Sequence, residues 1–165
     1  MSWKFTVYLP PKGAARCRAS AVTGAVHMYP DQPTEDWKTT VGFYAVKVLP
    51  KEVLEGPVKL DVVALIARPQ RLLKRSKRTG ELLGAIEGLM WCETKPDEDN
   101  IKKGAYDGLK SVWRDDAQIC YSSFAKCYVE ARRRPRIVIQ ISLCPADVPE
   151  SIARFVAEDD YQEAA

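Results

Sequence analysis

Apolar and polar side chains alternate from the start of the chain. Trp3-Lys4-Phe5-Thr6-Val7-Tyr8-Leu9 is rich in aromatic and β-branched residues, the pattern of a strand with one buried face. Pro10-Pro11-Lys12-Gly13 ends it, and a loop is expected through about residue 31. Asp31-Gln32-Pro33-Thr34-Glu35-Asp36 reads as a helix start, and Trp37, Val41, Tyr44, Ala45 and Val48 then recur at helical spacing until Pro50 lies beyond the end. Residues 58–67 predict a strand with Val58, Leu60, Val62 and Ala64 on one face. A basic segment, 68–80, interrupts, and Leu89-Met90-Trp91-Cys92-Glu93 reads as a short strand. Residues 98–111 predict a helix, because Ile101, Ala105, Leu109 and Val112 repeat at intervals that make one apolar face. Residues 117–130 and 136–143 predict two strands, with Arg132-Arg133-Arg134-Pro135 between them as a hairpin-type turn. A short helix follows Pro149 and ends in an acidic, fraying tail over 147–165. No internal repeat or linker divides the chain, so one α/β (α+β) domain spanning 1–165 is expected.

Composition narrows the class. The chain has 165 residues, 46% of them hydrophobic, enough for one core. Its apolar runs are much shorter than a membrane span, and Met1-Ser2-Trp3-Lys4-Phe5 lacks a signal-peptide pattern, so a cytoplasmic, membrane-free protein is expected. Five cysteines without a C-x-x-C pair, and a single histidine, His27, exclude the usual Cys/His zinc sets. Buried, reduced thiols are expected instead, with His27 in a flexible loop. The net charge is +3, but residues 147–165 carry six acidic side chains against Arg154, leaving the rest strongly basic. The basic residues bunch at Lys12, Arg16 and Arg18, at Arg68, Arg71, Lys74, Arg75, Lys77 and Arg78, and at Arg132, Arg133, Arg134 and Arg136. Solvated loops explain one such cluster; three together suit a phosphate polyanion.

Chemistry concentrates in Lys95-Pro96-Asp97-Glu98-Asp99-Asn100-Ile101-Lys102-Lys103 and in Trp113-Arg114-Asp115-Asp116-Ala117-Gln118. Acidic residues at a helix start serve as caps, but one cap accounts for one aspartate and not for Asp97, Glu98 and Asp99 together. Crowded carboxylates repel unless a cation intervenes, and Mg²⁺ takes such hard oxygen ligands while keeping several waters. Asp99, Lys103 and Asp107 share a helix face, which suits either a site or an ordinary surface ion pair. Asp115-Asp116 suits either a turn or a third ligand position. It would return to the helix start only if the following strand ran antiparallel to the helix. A calcium loop is excluded by Ile101 and Lys102, and no glycine-rich phosphate loop of the G-K-[ST] type is present. Ser122-Ser123 lacks a base partner. A Mg²⁺-dependent enzyme acting on the DNA backbone is the expectation.

The run from Lys95 to Lys103, then Tyr106-Asp107-Gly108-Leu109, Val112 to Ile119, and Lys126 in the next predicted strand resembles the RusA family of Holliday junction resolvases. The likeness is dense over 95–126. It is looser at Pro11-Lys12-Gly13 with Arg16 and Arg18, and no motif matches over 68–92 or in the tail. The resemblance implies a small homodimeric α/β endonuclease, a mixed sheet with helices packed on it, that resolves four-way DNA junctions in recombination and repair by paired symmetric nicks leaving 5′-phosphates. It implies Asp97, Asp99 and Asp116 as catalytic acids and ligands of Mg²⁺, with Mn²⁺ a substitute, and Lys103 as the catalytic lysine. Lys12, Arg16, Arg18, Arg71, Lys74, Arg75 and Lys126 are the expected DNA contacts. Two other functions stay open at this point: a different Mg²⁺-dependent nuclease for flaps or other branched DNA, and a junction-binding module without catalysis.

Overall fold

The computed structural model describes residues 1–14, 18–22, 25–29, 31–84, 88–154 and 156. Its central element is a five-stranded mixed sheet made of β1 (Ser2–Val7), β4 (Val58–Ile66), β7 (Met90–Trp91), β8 (Ile119–Tyr128) and β9 (Arg136–Leu143), in the order β1-β9-β4-β8-β7. Only the β4–β8 pair is parallel. Two hairpins lie outside this sheet: β2 (Arg18–Val22) with β3 (Ala25–Tyr29), and β5 (Lys74–Arg75) with β6 (Leu82–Gly84). The long helices are α1 (Gln32–Val46) and α2 (Glu98–Gly108), and further helical residues begin at Glu150.

The predicted alternation becomes rows of side chains across the sheet. One row joins Trp3, Ile141, Leu60 and Ser122; the next joins Phe5, Ile139, Val62 and Phe124; the third joins Val7, Ile137, Ala64 and Lys126. Their apolar members form one core with Trp37, Val41 and Ala45 of α1 and Ile101, Ala105 and Leu109 of α2, so both helices lie on this face. Removing that apolar area from water is the main force holding the layers together, at roughly 1.5–3 kcal/mol for each large side chain fully buried.

The helices cross where both lack a side chain. A Cβ on Gly42 would stand 2.8 Å from the Gly108 carbonyl oxygen, and one on Gly108 would stand 2.8 Å from the Lys38 carbonyl oxygen. Glycine at both positions lets the backbones touch. Beside this crossing, the Lys38 ammonium bridges Glu35 (2.9 Å) and Asp107 (3.0 Å), and Lys110 reaches Asp107 at 3.3 Å.

Several expectations need correction. The strands 119–128 and 136–143 form no hairpin: β4 lies between them, bonded parallel to β8 and antiparallel to β9. The turn around Arg132, which adopts φ 70°, is part of a connection from one side of β4 to the other. The reason is burial. β4 is a long, largely apolar strand with no exposed residue, and the central place covers both of its edges. The expected loop before residue 31 contains the β2–β3 hairpin, and His27 sits on β3 opposite Ser20. The helix expected over 98–111 stops at Gly108, with a turn before Trp113. Among the described cysteines, Cys92 and Cys127 are buried, but Cys120 is exposed.

Candidate active site at the start of α2

The segment leading into α2 is held from below. Lys126 ends the third row of the core face, beside the small Ala64, and its ammonium donates to the Thr94 carbonyl (2.8 Å) and the Pro96 carbonyl (2.9 Å). The Cys92 amide donates to the Lys126 carbonyl, and the Thr94 hydroxyl meets the Tyr128 hydroxyl at 2.9 Å. The Lys95–Pro96 peptide is cis. Lys126 therefore faces the chain that carries Asp97, rather than standing free on the surface.

Asp97 is the N-cap residue of α2 by position, yet its side chain makes no capping bond. Asp97, Asp99 and Lys103 are exposed, and no hydrogen bond or ion pair engages their charged ends among the described residues. The Asp99–Lys103 surface ion pair is thus not formed. Asp107 instead belongs to the Lys38 bridge, a fastening between helices. Burial raises the Asp107 pKa, but the bonds and charges of Lys38 and Lys110 outweigh it and hold the carboxyl below its ordinary value. Burial likewise opposes the charge on Lys38, and Glu35 and Asp107 more than restore it.

The N-terminal basic segment runs against this helix start. The Ala14 amide donates to the Asn100 carbonyl at 2.8 Å, and a Cβ on Gly13 would stand 3.1 Å from Pro96 Cβ, so glycine permits the close approach. The Lys12 ammonium donates to the Pro33 carbonyl at 3.2 Å. Arg16 lies outside the described residues, and Arg18, Lys74 and Arg75 are placed by backbone only, on β2 and β5. Arg71 is exposed, whereas Arg68 of the same basic segment is buried and donates to the carbonyls of Val129 (2.7 Å) and Gly88.

The second acidic stretch is a fastened turn. The buried Trp113 donates its indole N–H to Asp116 Oδ1 at 2.8 Å. Asp115 accepts from the Ala117 amide, and Gln118 accepts from the amides of Arg114 and Asp115. The Gln118 amide group also donates to the carbonyls of Leu54 and Gly56 at 3.0 Å each. Spacing alone does not single out Gln118; its only sequence signal is a polar amide just after the paired aspartates.

This turn does not meet the start of α2. β8 does run antiparallel to α2, as the return of the acids required. However, Asp116 precedes β8, so it stays near the far end of the helix, and the strand brings Lys126 back instead. At about 3.3 Å per residue, Ile119 and Lys126 are roughly 23 Å apart along β8. Among the described residues, no group of three or more His, Cys, Asp or Glu side chains is arranged to hold a metal ion. One chain offers Asp97 and Asp99 at the helix start and does not add Asp116 to them.

These features define a small α+β protein with a mixed sheet, helices on one face, and an exposed acid–lysine group beside a basic segment. Residues 9–142 match the family model described as Endodeoxyribonuclease RusA, and the chain belongs to this family of endodeoxyribonucleases. It is also 33% identical over 139 residues to the uncharacterized protein YqaN of Bacillus subtilis (strain 168), covering 84% of this chain and 94% of that protein. No helix among the described residues is long and apolar enough to cross a membrane.

Proposed function

We propose that the protein is a Mg²⁺-dependent endonuclease that nicks four-way DNA junctions in recombination and repair, with Asp97, Asp99, Lys103 and Asp116 as its working residues. The observation that carries this reading is the unengaged state of the charges at the start of α2. Asp97 does not cap, Asp99 and Lys103 do not pair, and all three are exposed, Asp97 just after the segment that Lys126 fixes and the other two on α2. Carboxylates kept for structure would be bonded, as Asp107 is.

A divalent ion, when bound, supplies a water of lowered pKa and a Lewis acid for the phosphate. Asp97 and Asp99 offer hard oxygen ligands of the kind such an ion takes. Lys103, one turn along from Asp99, carries the positive charge that would neutralise a phosphate oxygen as negative charge builds on it. Arg71, the β5 residues Lys74 and Arg75, and the basic opening of the chain at Lys12, Arg16 and Arg18 would track the DNA backbone, so binding weakens steeply with salt. Lys126 acts as the anchor of the Asp97 segment.

The test is a set of end-labelled four-way, flap and plain duplex DNAs incubated with the protein in Mg²⁺ or EDTA, with cut positions mapped. Paired symmetric nicks with 5′-phosphates on the junction, absent in EDTA, are expected. Preferential flap cutting would assign a different branched-DNA nuclease, and tight junction binding with no Mg²⁺-dependent product would leave only a binding module.

A further inference from the structure

We propose that Trp91 is a base-stacking residue on a second DNA surface, and that it lets the protein choose branched over continuous DNA. The proposal rests on the nuclease reading above for its substrate and adds which side chain senses the branch, apart from the acids at the start of α2.

A buried arginine assembles this surface. Arg68, just past the end of β4, donates to the carbonyls of Val129 (2.7 Å) and Gly88. Val129 follows β8 and leads into the turn of Arg132, Arg133 and Arg134. Gly88 closes the excursion that contains the β5–β6 hairpin and leads into β7. One guanidinium therefore gathers two basic clusters that are distant in the sequence. Arg71, Lys77 and Arg78 of the first are exposed, and so are the three arginines of the second, which the acid site does not use. The hairpin tip is folded: Ser76 Oγ accepts from the amides of Arg78 (3.2 Å) and Thr79 (3.1 Å), and the Ser76 backbone bonds to Glu81 and Gly80. Positive charge fixed in this way suits phosphates of any DNA.

An aromatic side chain stands beside the point where Arg68 joins these clusters. Trp91 is 79% exposed and Leu89 51%, whereas Trp37 and Trp113 are buried. Glu93 is the one carboxylate from Gly88 to Pro96. Pairing of Met90 with Tyr128 and of Trp91 with Cys127 holds the backbone, and the Cys92 amide adds a bond to the Lys126 carbonyl. Trp91 shares a row with Cys127 and Leu65, on the face of the sheet away from α1 and α2. An indole left in water contributes little to the fold.

The partner that fits is a polyanion with bare aromatic surface of its own. Inside a continuous duplex, both faces of every base are covered by neighbouring bases. At a branch point, a flap or a single strand some faces are bare, and an exposed indole stacks on them. The arginines then hold DNA of any shape, and Trp91 gains only where the stack is interrupted. From Trp91 the chain runs to Asp97 through a segment pinned by Lys126 and Tyr128, so the indole and the acids keep a fixed spacing. A branch seated on Trp91 thereby sets which phosphate lies at Asp97 and Asp99.

The experiment uses the full chain in EDTA with a fluorescein-labelled four-way junction, a continuous duplex and an oligo(dT) strand. Anisotropy, indole emission and sedimentation mass are measured. Trp91→Ala should bind the junction and oligo(dT) roughly tenfold more weakly and lose less than about twofold on the duplex. Trp91→Phe should keep most of the affinity for the junction. The junction should quench the indole emission of the parent, and Trp91→Phe should lose that quench. Arg133→Gln combined with Arg134→Gln should weaken all three complexes alike and lower the salt slope by about two. Equal weakening of junction and duplex by Trp91→Ala, no weakening of either, or a changed sedimentation mass would overturn the stacking role. If Trp91 proves to select the junction but no sample cuts it in Mg²⁺, the nuclease reading falls and the stacking surface stands. If the parent cuts junctions in Mg²⁺ and Trp91→Ala binds and cuts them equally well, the reverse holds.

Discussion

Both long helices begin at an aspartate, and the two aspartates are used differently. Asp31 accepts from the Thr34 amide (3.3 Å) and the Thr34 hydroxyl (2.8 Å), so it satisfies the free end of α1. Asp97 occupies the same position on α2 and bonds to nothing there. Asp99 and Lys103 beyond it are equally unengaged, while Asp107 at the other end of α2 is tied to Lys38 and Lys110. A carboxylate that holds the fold finds its donor within the chain. One exposed without a donor, beside another like it, costs some repulsion and adds no structural bond. Three aspartates on or before α2 and one before α1 thus separate into two kinds that composition does not distinguish.

The comparison breaks most visibly if the free acids prove structural. Asp97→Asn and Asp99→Asn should each lower the junction-nicking rate by at least about 100-fold, the scale of losing a charge placed for the transition state, with thermal stability unchanged. Equal loss of folded stability would put them in the same class as Asp31. The converse change is smaller. Asp31→Ala should cost about 1 kcal/mol in urea denaturation, as for other N-cap aspartates, and leave nicking as it was.

The smallest effect concerns Asp107. Its folded pKa lies below the ordinary value of 3.8, so its contribution is present above that pH and lost as pH falls through the folded value. Lys38 is held above 10.5, so its share is complete below that pH and lost as pH rises through the folded value. Asp107→Asn should therefore cost up to about 1 kcal/mol at pH 7, and the gap from the parent should close as pH falls through the lowered folded value. A gap independent of pH would show that the ion pair contributes nothing measurable.

The sequence by itself determined the elements that rest on local periodicity. The apolar faces at Val58, Leu60, Val62 and Ala64, and at Ile101, Ala105 and Leu109, are buried as their spacing predicts. The proline and the acids after Asp31 start a helix where expected. The acidic motif around α2 was equally legible, because a dense run of charge with a fixed lysine is a one-dimensional signal. Only the tertiary structure decided that β4 separates β8 from β9, that Lys126 faces inward beneath Asp97, and that Asp116 stands at the wrong end of β8 to join Asp97 and Asp99. Side-chain periodicity states which face of a strand is buried. It carries no information on which strand becomes its neighbour or which end meets which helix, since those follow from long-range burial over the whole sheet.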